Sequence, residues 1–401
     1  MKSQGLTKTG LDRLNRVLCG YVERKEVPGL VALVSHVDQV HIEGLGTMSV
    51  GEDALMKRDT LFRIASLTKP ITAVAAMILV EECQLRLDES IETWMPELAN
   101  RRVLKSLASE LDDTVPAARP ITLRDLLTSR MGIGSVLAPP DTYPIQKRIR
   151  EDHIGGDRPP LPTLISGTDE WLQKLGALPL IAQPGERWMY HISQDVLGVL
   201  ISRVSGQSLG DFMRERIFEP LGMEDTAFHV PEQNRDRLPT CYNFNRETQE
   251  LHVYDDAQNS AWHAEPAFES GGGGLVATIE DYFAFTLMML NNGWHGRKQI
   301  LSRASIQLMR SDQLTPEQRA GSEVFFGRHG SWGFGVGVDI FRDDIFRTPG
   351  RFGWDGGLGT SAYIDPAEGM IGILMTQSLL HSPTPPKIFT DFWTLAYGAM
   401  E

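Results

Sequence analysis

The chain is poor in cysteine, with only Cys19, Cys83 and Cys241 among 401 residues. Three thiols so far apart give no disulfide framework and no Cys-x-x-Cys metal pair. The ten histidines are scattered and include no His-Glu-x-x-His, so no metal site is expected. Positive charge is also in deficit. Against 52 Asp and Glu stand 39 Lys and Arg, a formal net charge of −13. Nucleic acids and anionic membranes both require a basic footprint, so neither is expected as a partner. Long apolar runs are missing too. The longest, Ile71 to Val80, is about half the roughly 20 residues that span a bilayer. At the N-terminus Leu11, Leu14 and Leu18 lie at helical spacing with Arg13 and Arg16 between them, and no apolar signal core precedes them. A soluble, cytoplasmic protein is the expectation.

What is present is ordinary globular material, 41% hydrophobic and 23% charged, which excludes disorder and collagen-like repeats. After the N-terminal helix, Leu30 to Val37 and Val40 to Gly46 read as a hairpin of two buried strands around Asp38-Gln39. An apolar helix is predicted from about Thr68 to Glu82. The stretch 136–180 carries Pro139-Pro140, Pro144, Pro159-Pro160 and Pro162, which reads as a long loop able to serve as a lid. Strand patterns return at Trp332 to Ile340, Thr360 to Asp365 and Met370 to Gln377, before a last helix from Ile388 to Met400. The expected fold is α+β: an antiparallel sheet flanked by helices, built from residues 1–82 and 290–401. A mainly helical subdomain, 83–289, is inserted between them. No internal repeat is visible.

Three segments could carry chemistry. In Ser66-Leu67-Thr68-Lys69 the lysine lies one helical turn after the serine, on the same face. Pro70 is tolerated only near a helix start, which places the N-terminus at Ser66 to Leu67. A lysine held there in apolar surroundings has a lowered pKa and can take the serine proton. The tetrapeptide alone is weak evidence, because a solvated Ser/Lys pair would look the same.

The second segment runs from Pro184-Gly185 through Trp188 to Tyr190, His191 and Ile192. Tyr190 sits on a connector from which its phenol could enter a cleft and exchange a proton. A packed core position is the commoner fate of a tyrosine beside a tryptophan. The third segment is Trp354-Asp355-Gly356-Gly357-Leu358-Gly359. Glycines this dense before a strand let a ligand lie along its edge, and their N–H groups can bind an oxyanion. The run Ser270 to Gly274 carries no nucleotide fingerprint and reads as a turn beside the site. Gly206-Gln207-Ser208-Leu209-Gly210 fits a nucleophile elbow in letters only. A helix precedes it where a strand is required, so Ser208 is expected to be a helix N-cap.

Taken in order, these signals resemble the penicillin-recognising serine hydrolases: class C β-lactamases, DD-peptidases and the related family VIII carboxylesterases. Phe62 to Pro70, Leu85 to Asp88, Ile121 to Thr128, Pro184 to Tyr190, Pro220 to Met223 and Gly271 to Asp281 carry the resemblance, which spans most of the chain. It implies Ser66 as acylated nucleophile, Lys69 as general base and Tyr190 as second proton-transfer group. The oxyanion hole it implies is the N–H of Ser66 with that of Gly357.

Two departures are informative. The family's Tyr-x-Asn has Ile192 at the amide position, and its third motif commonly begins with lysine where Trp354 stands here. Lacking both groups, the site should prefer an uncharged acyl compound to a carboxylate-bearing peptide, which points to the esterase branch. The expectation is a serine carboxylesterase acting on small-molecule esters without a cofactor. The rivals are a β-lactamase or D-amino-acid peptidase, an acyltransferase to a small alcohol, and a non-catalytic binding protein on the same scaffold. A homo-oligomer is compatible with the sequence.

Overall fold

The computed structural model describes residues 5–155, 161–165, 167–245, 247–248 and 250–401. Seven strands form one antiparallel sheet: β1 (Gly29–His36), β2 (Gln39–Gly46), β3 (Gly330–Trp332), β4 (Gly337–Asp339), β5 (Phe352–Gly356), β6 (Thr360–Asp365) and β7 (Met370–Thr376). Their spatial order is β3-β4-β5-β6-β7-β1-β2, so the N-terminal hairpin completes a sheet begun by the C-terminal meander.

Alternation of side chains across the pleat explains why β1 is apolar throughout. Leu30, Ala32 and Val34 face helices α1 (Lys8–Glu23) and the C-terminal Lys387–Tyr397, against Leu18, Phe392 and Trp393. Val31 and Leu33 face the opposite way, toward the helix Ile279–Leu290, into the larger core that also takes in Ile71 and Val74 of α2 (Thr68–Glu81). Helix α2 is buried from Thr68 to Leu79, which suits a helix apolar all round.

Four details differ from expectation. Strand β2 is not buried: it is the sheet's edge, and its polar residues Gln39, His41 and Glu43 meet solvent. The stretch 332–340 is not one strand but parts of two, β3 and β4, with a turn at Gly333 to Val336. Phe352 to Gly356, read as a glycine-dense approach to a strand, is itself β5. Finally, 136–180 is not simply a loop. It holds helices Pro144–Glu151 and Thr168–Ala177, because Pro144 occupies the first helical position, where a missing N–H does no harm. Pro159-Pro160 lies outside the described residues. Among the described residues, no helix is long and apolar enough to cross a membrane.

Candidate active site

The chain reaches Ser66 from the two-residue strand Phe62–Arg63, through Ala65 at φ 46°, into a single 3₁₀ turn, Ala65–Leu67, that runs on into α2. Two features fix this turn. Arg63 is buried and donates to Asp255 (2.7 Å), to the Pro239 carbonyl (2.7 Å) and to Ser260 (3.1 Å). On the other side Thr360 donates to the Ile64 carbonyl at 3.0 Å, and strand β5 passes so close that a Cβ on Gly356 would lie 2.5 Å from that oxygen.

Lys69 lies in the first turn of α2 and is fully buried. Its Nζ donates to Ser66 Oγ at 2.8 Å and to the Gly272 carbonyl at 2.5 Å. Burial lowers the Lys69 pKa from 10.5 to about 7, against an opposing pull from Asp195. An amine so depressed can shed its proton near neutrality, which a general base requires. The glycine run that supplies the carbonyl is pinned from behind. Asp195, on helix α3 (Ile192–Ser205), accepts from Gly272 N–H at 2.9 Å and from Ser270 Oγ at 2.6 Å. Gly271 packs so tightly on α3 that a Cβ there would stand 2.6 Å from the Gln194 carbonyl.

Tyr190 enters from the connector before α3. Its phenol donates to Ser66 Oγ at 2.8 Å and accepts from the indole N–H of Trp354 at 2.7 Å. The ring lies among Trp188, Phe325 and Trp354, with the Lys69 amine 4.5 Å from its centroid. Burial pushes the phenol's pKa above its usual 10, although the bonds to Ser66 and Trp354 pull the other way. Burial therefore acts oppositely on the two protons: it favours loss from Lys69 and retention on Tyr190.

Ser66 and Tyr190 open onto a cleft of about 390 Å³. Gly357, Trp354 and Asp355 line it, with Val136, Leu137 and Phe325 opposite. Gly356 takes its part through the close approach described above. Asp355 is pushed up to about 6 by burial, and its carboxylate accepts from Ser361 at 2.6 Å. Ile192 is different. It is buried at the start of α3 and lines an adjoining cavity but not the cleft, whereas its neighbour His191 lines both.

Trp354, read from the sequence as an apolar wall, is a hydrogen-bond donor as well. Residues 136–138, from the stretch read as able to serve as a lid, line the cleft, whereas the Gly272 carbonyl, Asp195 and Phe325 carry no expectation from the sequence. A carbonyl leaves no mark in a sequence, whereas Asp195 is an acid at the head of the apolar run Val196 to Ile201 and could have been noticed.

Comparison with known proteins places the chain in a family. Protein Rv1367c of Mycobacterium tuberculosis is 35% identical to this chain, covering 87% of this chain and 85% of the relative. Esterase EstB of Burkholderia gladioli is 28% identical, covering 93% and 92%. Among solved structures, EstCE1, described as a hydrolase with promiscuous acyltransferase activity, superposes with a TM-score of 0.81 at 24% identity, covering 98% of this chain and 99% of that one. The family model described as Beta-lactamase matches residues 14–387, and the chain belongs to that family of serine β-lactamase-related hydrolases.

Proposed function

We propose that the protein hydrolyses carboxylic esters through an acyl-enzyme on Ser66. The observation that carries this reading is a pair of hydrogen bonds to one oxygen: Ser66 Oγ accepts from both Lys69 and Tyr190 at 2.8 Å. When Lys69 is neutral it takes the serine proton, and Oγ attacks the ester carbonyl. The N–H groups of Ser66 and Gly357 hold the resulting oxyanion. Tyr190 delivers its proton to the departing alkoxide and is reprotonated by Lys69. In the second half, water attacks the acyl group, Lys69 takes its proton, and the acid leaves as Ser66 Oγ regains one.

Neutral esters suit the site because, among the described residues, no arginine or lysine lines the cleft wall to pair with a carboxylate. The cleft is walled largely by Trp354, Phe325, Val136 and Leu137. Esterase EstB supports the same reading by similarity. Ser66→Ala should lower p-nitrophenyl butyrate hydrolysis at least about a thousandfold, by removing the nucleophile. Retention of most activity by a folded Ser66→Ala would end the assignment.

A second reading is acyl transfer to a small alcohol, favoured by the likeness to EstCE1. It predicts that added alcohols capture the acyl group faster than water does.

A further inference from the structure

A second cavity of about 510 Å³ adjoins the catalytic cleft, and both fall within the size range of small-molecule pockets. The two share Ser135, Val136 and His191 as common walls. That partition is fixed to the catalytic centre, because the Ser135 N–H donates to the Tyr190 carbonyl. Val136 and His191 thus stand between the catalytic cleft and the second cavity.

The chemistry of the cavity is one-sided. Ile149, Ile154, Leu161, Ile165 and Ile192 supply most of its apolar wall, beside the polar Gln146 and His153. Its charged groups are already engaged. Arg150 pairs with Asp141 at 3.0 Å, and Asp195 holds Ser270 and Gly272. Arg150 is thus compensated by Asp141, and Asp195 is tied to its own donors, whereas the isoleucines and leucine offer surface to a hydrocarbon.

We propose that this cavity is a specificity subsite for an extended, uncharged apolar arm of the ester, reached across Val136 and His191. The proposal rests on the ester-hydrolase reading and names the substrate class: esters with one long apolar branch. Burying each further methylene there should raise kcat/KM about fourfold until the cavity is full. The arm could belong to the acid or to the alcohol, and two substrate series separate these sources. One lengthens the acyl chain of p-nitrophenyl esters from acetate to decanoate. The other lengthens the alcohol of butyrate esters from methyl to octyl.

The expected result is that kcat/KM climbs in one series only. The long-to-short ratio in that series should drop at least about tenfold in Ile149→Trp, whose indole occupies the cavity. A ratio measured within one preparation does not depend on how much of that preparation is folded. Leu161→Trp, in an irregular segment, repeats the test should Ile149→Trp fail to fold. Rates that do not grow with length in either series, or ratios unchanged in both variants, would overturn the subsite while leaving the hydrolase reading intact. Absence of turnover of every ester by the parent, with no acyl adduct on Ser66, would instead overturn the hydrolase reading.

Discussion

Replacing Lys69 with methionine separates what this residue does for chemistry from what it does to the fold. Methionine is unbranched and fills similar space, but brings no amine. Burial holds the Lys69 pKa at about 7 instead of 10.5, so the folded protein is penalised whenever that amine carries its proton. At about 1.4 kcal/mol per pH unit, the penalty is about 5 kcal/mol below pH 7.

Between about 7 and 10.5 the unfolded chain still binds the proton and the folded chain does not. Stability therefore climbs with pH across that window, and the penalty fades above it. Against this gain, methionine leaves the Gly272 carbonyl without its Lys69 donor, a loss of about 1–3 kcal/mol. Lys69→Met should then be more stable than the parent by about 2–4 kcal/mol near pH 6, with the gap closing toward pH 10. Urea denaturation of both proteins across that pH range, followed by tryptophan fluorescence, measures the gap. The same variant should have no esterase activity. A variant no more stable than the parent near pH 6, or a gap that does not change with pH, would refute the account of Lys69 as a strained base.

Three further outcomes follow from the same geometry. For a neutral ester, kcat/KM should rise with pH, with its midpoint near 7 from Lys69, and stay level up to about 10, because the Tyr190 phenol titrates above that. Asp195→Asn should move the midpoint down, since that carboxylate favours the protonated amine; an upward move would contradict the assignment. Trp354→Phe keeps an aromatic ring but removes the N–H that meets Tyr190, and should lower kcat about 3- to 10-fold; an unchanged kcat would show that this bond plays no part in turnover. Gly356→Ala places a methyl against the Ile64 carbonyl and should destabilise the protein by about 1–3 kcal/mol in denaturant melts, slowing hydrolysis as the Ser66 turn shifts.

The pairing of Ser66 with Lys69 was legible in the sequence for a local reason. Pro70 and the apolar run after it fix the start of a helix, and three residues of helical spacing then bring Lys69 beside Ser66. Tyr190 was less legible, because its approach to Ser66 depends on contacts between segments 124 positions apart. What the sequence concealed falls into two kinds. Backbone groups such as the Gly272 carbonyl have no letter of their own, although here that group holds the Lys69 amine. Context-dependent residues were misjudged: Pro144 begins a helix where prolines were read as breakers, and β2 carries β-branched residues yet lies at an edge. In each case position in the tertiary structure overrode a local preference.

The Trp354 indole has a consequence beyond its own bond. A phenol can both give and receive a hydrogen bond, so a tyrosine beside a serine is ambiguous about which way its hydrogen points. An indole N–H cannot receive. By occupying the phenol oxygen from behind, Trp354 leaves Tyr190 one direction in which to aim, toward Ser66. The relay thus acquires a polarity before any substrate arrives. A lysine ammonium shares this inability to receive, so two side chains as unlike as lysine and tryptophan can serve the same orienting purpose at one position while selecting very different substrates.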